Sequence, residues 1–146
     1  MQLLAGVDEV GRGCLAGPVI SSAVILDDQN PILGLKDSKK LSQKKREELY
    51  SVIKSMSIEY TIGSASNIEI DEINILNATM LSMKRAIETL KNRDIKVFID
   101  GNQCPEINKS LKIFMESKIG GDRLFPCISA ASIIAKVTRD LYMTEM

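Results

Sequence analysis

The sequence predicts an α/β layer architecture, in which short apolar strands alternate with amphipathic helices. Four stretches carry that expectation. "LLAGVDEV" (3–10) and "VISSAVIL" (19–26) are short, apolar and rich in β-branched residues, and the glycines and Gly17–Pro18 between them mark a hairpin. Ile73, Leu76, Met80, Met83, Ile87 and Leu90 recur at alternating spacings of three and four, the period of one helix face. "IKVFID" (95–100) is again a short apolar strand, and it ends in an acid.

In chain order, the two hairpin strands come first and give the sheet antiparallel character. In "LKDSKKLSQKKREELYSVIKSM", Ser42 is the expected N-cap of a helix whose buried stripe is Leu49, Val52, Ile53 and Met56. "IEYTIGSAS" (58–66) returns as a strand, and the periodic stretch predicts a helix over 70–91 with its Ile73–Leu90 stripe in the core. After the 95–100 strand, "SLKIFMES" (110–117) is a weaker strand candidate. "ISAASIIAKVTRDLYM" (128–143) reads as a helix whose small residues permit close packing.

Composition narrows the chemistry. At 146 residues and 45% hydrophobic content the chain is one domain with one sizeable core, and 19 basic residues balance 19 acidic ones, so any charge preference must come from local clustering. The absence of histidine excludes histidine general bases and histidine zinc sites. Cys14, Cys104 and Cys127 form no CxxC pair and suit reduced thiols. With no signal-like start and no long apolar run, the expected location is cytoplasmic, away from membranes.

The distinctive feature is acid at strand ends. Asp8 and Glu9 close the first strand, Asp100 closes a later one, and Asp122 sits in the turn "IGGDRLFP" before the last helix. In α/β sheets ligands gather beyond the carboxyl ends of strands. Strict alternation sends Asp8 and Glu9 to opposite faces, so both reach one site only if the strand breaks at Glu9, which Gly11 and Gly13 permit. Oxygen ligands without His or Cys suit Mg²⁺ or Mn²⁺, which would offset the repulsion among the acids. The same acids serve equally well as caps or ion-pair partners at turns, and spacing alone does not separate the two readings.

Gly11-Arg12-Gly13 can bring backbone close to a ligand or form a tight turn between strands. Lys36, Lys39, Lys40, Lys44, Lys45 and Arg46 form a basic cluster suited to phosphates, or a solvated helix face. Lys136 and Arg139 are candidate phosphate contacts, with Asp140 pairing with a base on its own helix.

Taken together, "AGVDEVGRG", "DSKKL", "EIDEINILNATMLSMKRAI", "VFIDGN" and "ISAASIIAKVTRD" resemble the ribonuclease HII family, in five blocks spanning nearly the whole chain. The resemblance implies an RNase H-like fold, a mixed β-sheet flanked by α-helices. It also implies hydrolysis of the RNA strand of RNA–DNA hybrids and cutting at single ribonucleotides embedded in duplex DNA. By position in the matching motifs, Asp8, Glu9, Asp100 and Asp122 are the expected catalytic and metal-binding acids, with Mn²⁺ or Mg²⁺ as cofactor. Gly11, Arg12 and Gly13 fall where the family recognises the ribose 2′-hydroxyl, the group that distinguishes RNA from DNA. Lys39, Lys40 and Lys136 complete the expected substrate contacts.

The chain departs from the family pattern in two places. Gly120 stands where the family has a lysine, with Lys118 the nearest substitute, and the family continues beyond the "KVTRD" helix with a tyrosine-bearing segment, whereas this chain stops at Met146. The expectation is one catalytic domain over 1–146, shortened at its C-terminus, the alternative being a nucleic-acid-binding fragment with impaired catalysis. A nucleotide-cofactor reading of strand–Gly-x-Gly is opposed by Ala16 and by the strand that replaces the expected helix.

Overall fold

Asp8 and Ser22, and Glu9 and Ser21, stand opposite one another in an antiparallel ladder between β1 (Leu3–Val10) and β2 (Val19–Ile25), the predicted hairpin. The computed structural model describes residues 2–12, 17–35 and 38–144. After β2 come a 3-10 turn (Ser38–Lys40), α1 (Gln43–Met56), β3 (Glu59–Ala65), α2 (Asn67–Thr89), β4 (Ile95–Asp100), β5 (Phe114–Lys118), α3 (Gly121–Leu124) and α4 (Pro126–Thr144). Among the described residues the strands form one five-stranded sheet, ordered β3-β2-β1-β4-β5. β3 joins β2 antiparallel, whereas β4 joins β1, and β5 joins β4, in parallel. The mixed sheet flanked by helices is the architecture predicted.

Each face of the sheet buries against a different helix layer. Ala5, Val7, Ile95, Val97 and Ile99 meet Met83, Ala86, Ile87 and Leu90 of the α2 region. On the other face Val24 packs with Leu49 and Ile53 of α1 and with Ile133, Ile134 and Val137 of α4. Each fully buried Val, Ile, Leu or Met side chain among these contributes about 1.5–3 kcal/mol. The α4 backbone sits directly on β1: a Cβ on Gly6 would lie 2.3 Å from Cys127 C and Ile128 N, so only glycine fits there. Ser42 caps α1, its side chain accepting from Lys45 N, as predicted.

Four elements differ from expectation. α2 is interrupted at Asn74, whose φ of +70° is non-helical and whose Oδ1 accepts from Asn77 N at 3.0 Å, capping the second segment. The break shifts the helical phase, so the core stripe begins at Ala78, while Ile73 is only half-buried and Leu76 is exposed. In α1, Met56 is likewise exposed and only Leu49 and Ile53 are buried. The 110–117 strand begins only at Phe114, because Lys109–Leu111 form a 3-10 turn ended by a left-handed Lys112. Asp122 lies in the first turn of α3 rather than in an open turn. Among the described residues, no helix is long and apolar enough to cross a membrane.

Candidate active site

β1 and β4 run parallel as neighbours, so their carboxyl ends bring Asp8, Glu9 and Asp100 to one end of the sheet. The ladder to β4 ends at Val7–Ile99, leaving the β4-side edge of residues 8–10 open. The break at Glu9 that the sequence called for does not occur, and β1 continues paired with β2 to Val10–Ile20. Both carboxylates nevertheless line the same cleft, because the open edge removes the neighbour that would separate them. The cleft measures about 410 Å³, and Asp100, Lys39 and Lys136 also line it.

Asp8 is buried at 5% exposure, and its Oδ1 accepts from Glu9 N at 2.8 Å. Burial, followed by the charges of Glu9 and Asp100, pushes its carboxyl well above the usual carboxylate range. Burial also raises Glu9, against the opposing influence of Arg12, whose Nη1 lies 3.9 Å from Glu9 Oε1. Asp100 is raised by burial and by the charge of Asp122, while Gly121 N, donating to its Oδ1 at 3.0 Å, and Lys39 act the other way. That hydrogen bond ties the start of α3 to the end of β4. Asp122, buried at 4% exposure, faces Lys39, with Nζ 3.5 Å from its Oδ2.

The expected lysine contacts divide. Lys39 and Lys136 line the cleft, Lys136 also pairing with Asp140 at 3.0 Å as predicted. Lys40 is exposed and does not line it. Lys118, the expected neighbour of Asp122, pairs instead with Glu116 at 2.9 Å and lies over the Phe98 ring, whereas Lys39 is the cation that pairs with Asp122. Gly120 has a left-handed φ of +68°, which a lysine would adopt only with strain. Arg139, expected as a phosphate contact, is buried at 6% exposure. Gly11 and Arg12 follow directly on β1, whereas Gly13 lies outside the described residues.

Arg46, named in the basic cluster, also lines the cleft, as do Ser38 and Ser132, which sequence reasoning did not single out. Ser132 stands four residues before Lys136, hence on the same helix face, and Ser38 belongs to "DSKKL", so both were findable from helical spacing and motif.

Among the described residues, no three acidic or cysteine side chains are already gathered around one point as metal ligands would be. The donor set nonetheless suits a hard divalent cation. It consists of carboxylate oxygens that repel one another, and the buried Ser38 Oγ in the same wall has no hydrogen-bond partner among the described residues.

The family model for ribonuclease HII matches residues 5–146. The ribonuclease HII of Burkholderia thailandensis is 54% identical over 145 residues, covering 99% of this chain and 66% of the relative. The chain thus spans slightly less than two thirds of the length of the curated relatives it matches. A ribonuclease HII of Archaeoglobus fulgidus, solved in a complex with PCNA, superposes with a TM-score of 0.82 at 30% identity, covering 98% of this chain and 75% of that one. The ribonuclease H2 of Pyrococcus horikoshii superposes at 0.81 with 29% identity, covering 98% and 74%.

Proposed function

The chain belongs to the ribonuclease HII family, and on that premise we propose that it is a metal-dependent endonuclease. It hydrolyses the RNA strand of RNA–DNA hybrids and cuts at ribonucleotides embedded in duplex DNA, leaving 3′-hydroxyl and 5′-phosphate ends. The observation that carries this reading is one cleft lined by three acids at the ends of parallel strands together with two lysines.

Asp8, Glu9 and Asp100 would hold the cation, Mn²⁺ or Mg²⁺, with Asp122 as the fourth acid beside them. When bound, the ion supplies activation of the attacking water and neutralisation of charge on the phosphate and departing 3′-oxygen. The chain's own residues do the rest. Lys39 and Lys136 place positive charge on the cleft wall where a phosphodiester enters, which orients the backbone without reading sequence. The burial that raises the Asp8 carboxyl also removes competing water. Gly11 and Arg12, two and three residues beyond Glu9, would meet the ribose 2′-hydroxyl, a group that both donates and accepts. Asp100 accepts from Gly121 N through Oδ1, which orients its carboxylate at the end of β4.

The direct test is cleavage of a duplex carrying one ribonucleotide, compared with the same all-DNA duplex, in Mg²⁺, Mn²⁺ and EDTA. A cut beside the ribonucleotide that requires the metal is expected. Binding without cleavage in either metal, or equal cleavage of both duplexes, overturns the proposal.

A further inference from the structure

We propose that Arg139 is a positioning residue that holds the start of the β1–β2 connection against α4, and so sets how well the site recognises an embedded ribonucleotide. The ribonucleotide part of this rests on the nuclease reading above. From sequence, Arg139 is a candidate phosphate contact. In the structure it is inside, and a guanidinium is costly to bury unless its donors are used. Its Nε donates to Pro18 O at 3.0 Å, at the far end of the connection.

Both described ends of the connection close on this one side chain. Gly11, with φ +108°, lies so near that a Cβ there would be 2.8 Å from Arg139 Nε and 2.8 Å from Pro18 O. Gly17, with φ +90°, would place a Cβ 2.9 Å from Arg139 Nη2 and 2.5 Å from Met143 Sδ. Positive φ and close approach therefore coincide at two glycines, and the group approached is the same guanidinium. Gly11 is two residues beyond Glu9, and Arg12 reaches back to within 3.9 Å of that acid. Lys136, three residues before Arg139 on α4, lines the cleft. One rigid helix thus supplies both a cleft lysine and the post beneath the glycines, fixing the two relative to each other. Arg139 is not among the residues that line the cleft, and its influence is exerted through the backbone of Gly11 and Arg12.

The test compares the 146-residue chain with R139M, which keeps an apolar body of similar length, and R139K, which keeps a donor and a charge. Three quantities are measured: kcat/KM on the single-ribonucleotide duplex, affinity for the all-DNA duplex in EDTA, and amide exchange at Val10–Arg12 and Gly17. R139M is expected to lower kcat/KM by about 10- to 100-fold, the scale of an ångström-level displacement. Its all-DNA affinity should stay within about twofold, exchange should accelerate at those amides alone, and R139K should recover part of the loss. Unchanged exchange, or an equal fall in cleavage and all-DNA affinity, overturns the proposal. If R139M fails to fold by circular dichroism, the same comparisons with R139K decide it. If the unmodified chain does not cleave, the nuclease reading fails, and accelerated or unchanged exchange then decides by itself whether Arg139 holds the connection.

Discussion

Lys39 Nζ lies 3.5 Å from Asp122 Oδ2, an exposed cation set over a buried acid. With Lys39 75% exposed, the pair adds little to stability, on the order of 0–1 kcal/mol. Its charge nevertheless also acts on Asp100, where it opposes the upward shift caused by burial. Lys39→Met should therefore have two opposite effects. Affinity for Mn²⁺ measured by calorimetry should rise about fivefold, the scale of one removed charge near the surface. Affinity for duplex should fall, with the salt slope smaller by about one. A fall in Mn²⁺ affinity would show that Lys39 organises the acids rather than competing for them.

Asp100→Asn should abolish cleavage while leaving the fold intact. Asparagine keeps the Oδ1 acceptor for Gly121 N and removes only the charge. Because burial and Asp122 raise the Asp100 carboxyl, its ionised form destabilises the metal-free protein. The folded state binds that proton more tightly than the unfolded state, so stability falls as pH rises above the ordinary carboxylate range of about 4. The variant should consequently unfold at higher temperature than the parent at pH 7 in EDTA, and the difference should vanish below about pH 4. Thermal scans at the two pH values, with circular dichroism, check this.

Glu69 provides the opposite sign. Arg85 donates to both of its oxygens at 2.8 and 2.6 Å and Ser66 N donates at 3.1 Å, completing a capping box and holding the carboxyl down at about 2. The folded state binds this proton less tightly, so the stabilisation is complete above the ordinary range and is lost as pH falls towards 2. Urea titrations of the parent and Glu69→Gln should differ by a constant amount above about pH 5, and the difference should close between about pH 4 and pH 2. A gap that widens on acidification would contradict the assignment.

Gly6→Ala should destabilise by about 1–3 kcal/mol or more, because the new methyl would meet the α4 backbone, which cannot yield as a side chain does. Denaturant titration measures the loss. Unchanged stability would mean that α4 does not lie directly on β1.

Much of the site was legible because its chemistry is local. Asp8, Glu9 and Asp100 end apolar strands, and a carboxylate there announces itself against the surrounding pattern. Ser42 as a cap and the hairpin between 3 and 26 follow from short-range backbone preferences that need no tertiary partner. The expected break at Glu9 failed because alternation along one strand does not tell where the neighbouring strand stops. The α2 stripe was half misread because Asn74 resembles any other polar helix residue until its φ of +70° resets the phase.

The sequence by itself determined the class of layer, the family and the place of Asp8, Glu9 and Asp100 at strand ends. Pattern and motif are written in consecutive residues, and a run of apolar side chains is buried wherever a core forms. Only the tertiary structure decided which cation stands beside Asp122 and what Arg139 does. Lys39 rather than Lys118 faces the buried acid, and the Arg139 guanidinium ends under Gly11 and Gly17 rather than at a phosphate. Both are long, flexible charged side chains whose partners lie 83 and 121 residues away in sequence. Their placement is set by how α4 and the Ser38–Lys40 turn dock on the sheet, a distance no local pattern encodes.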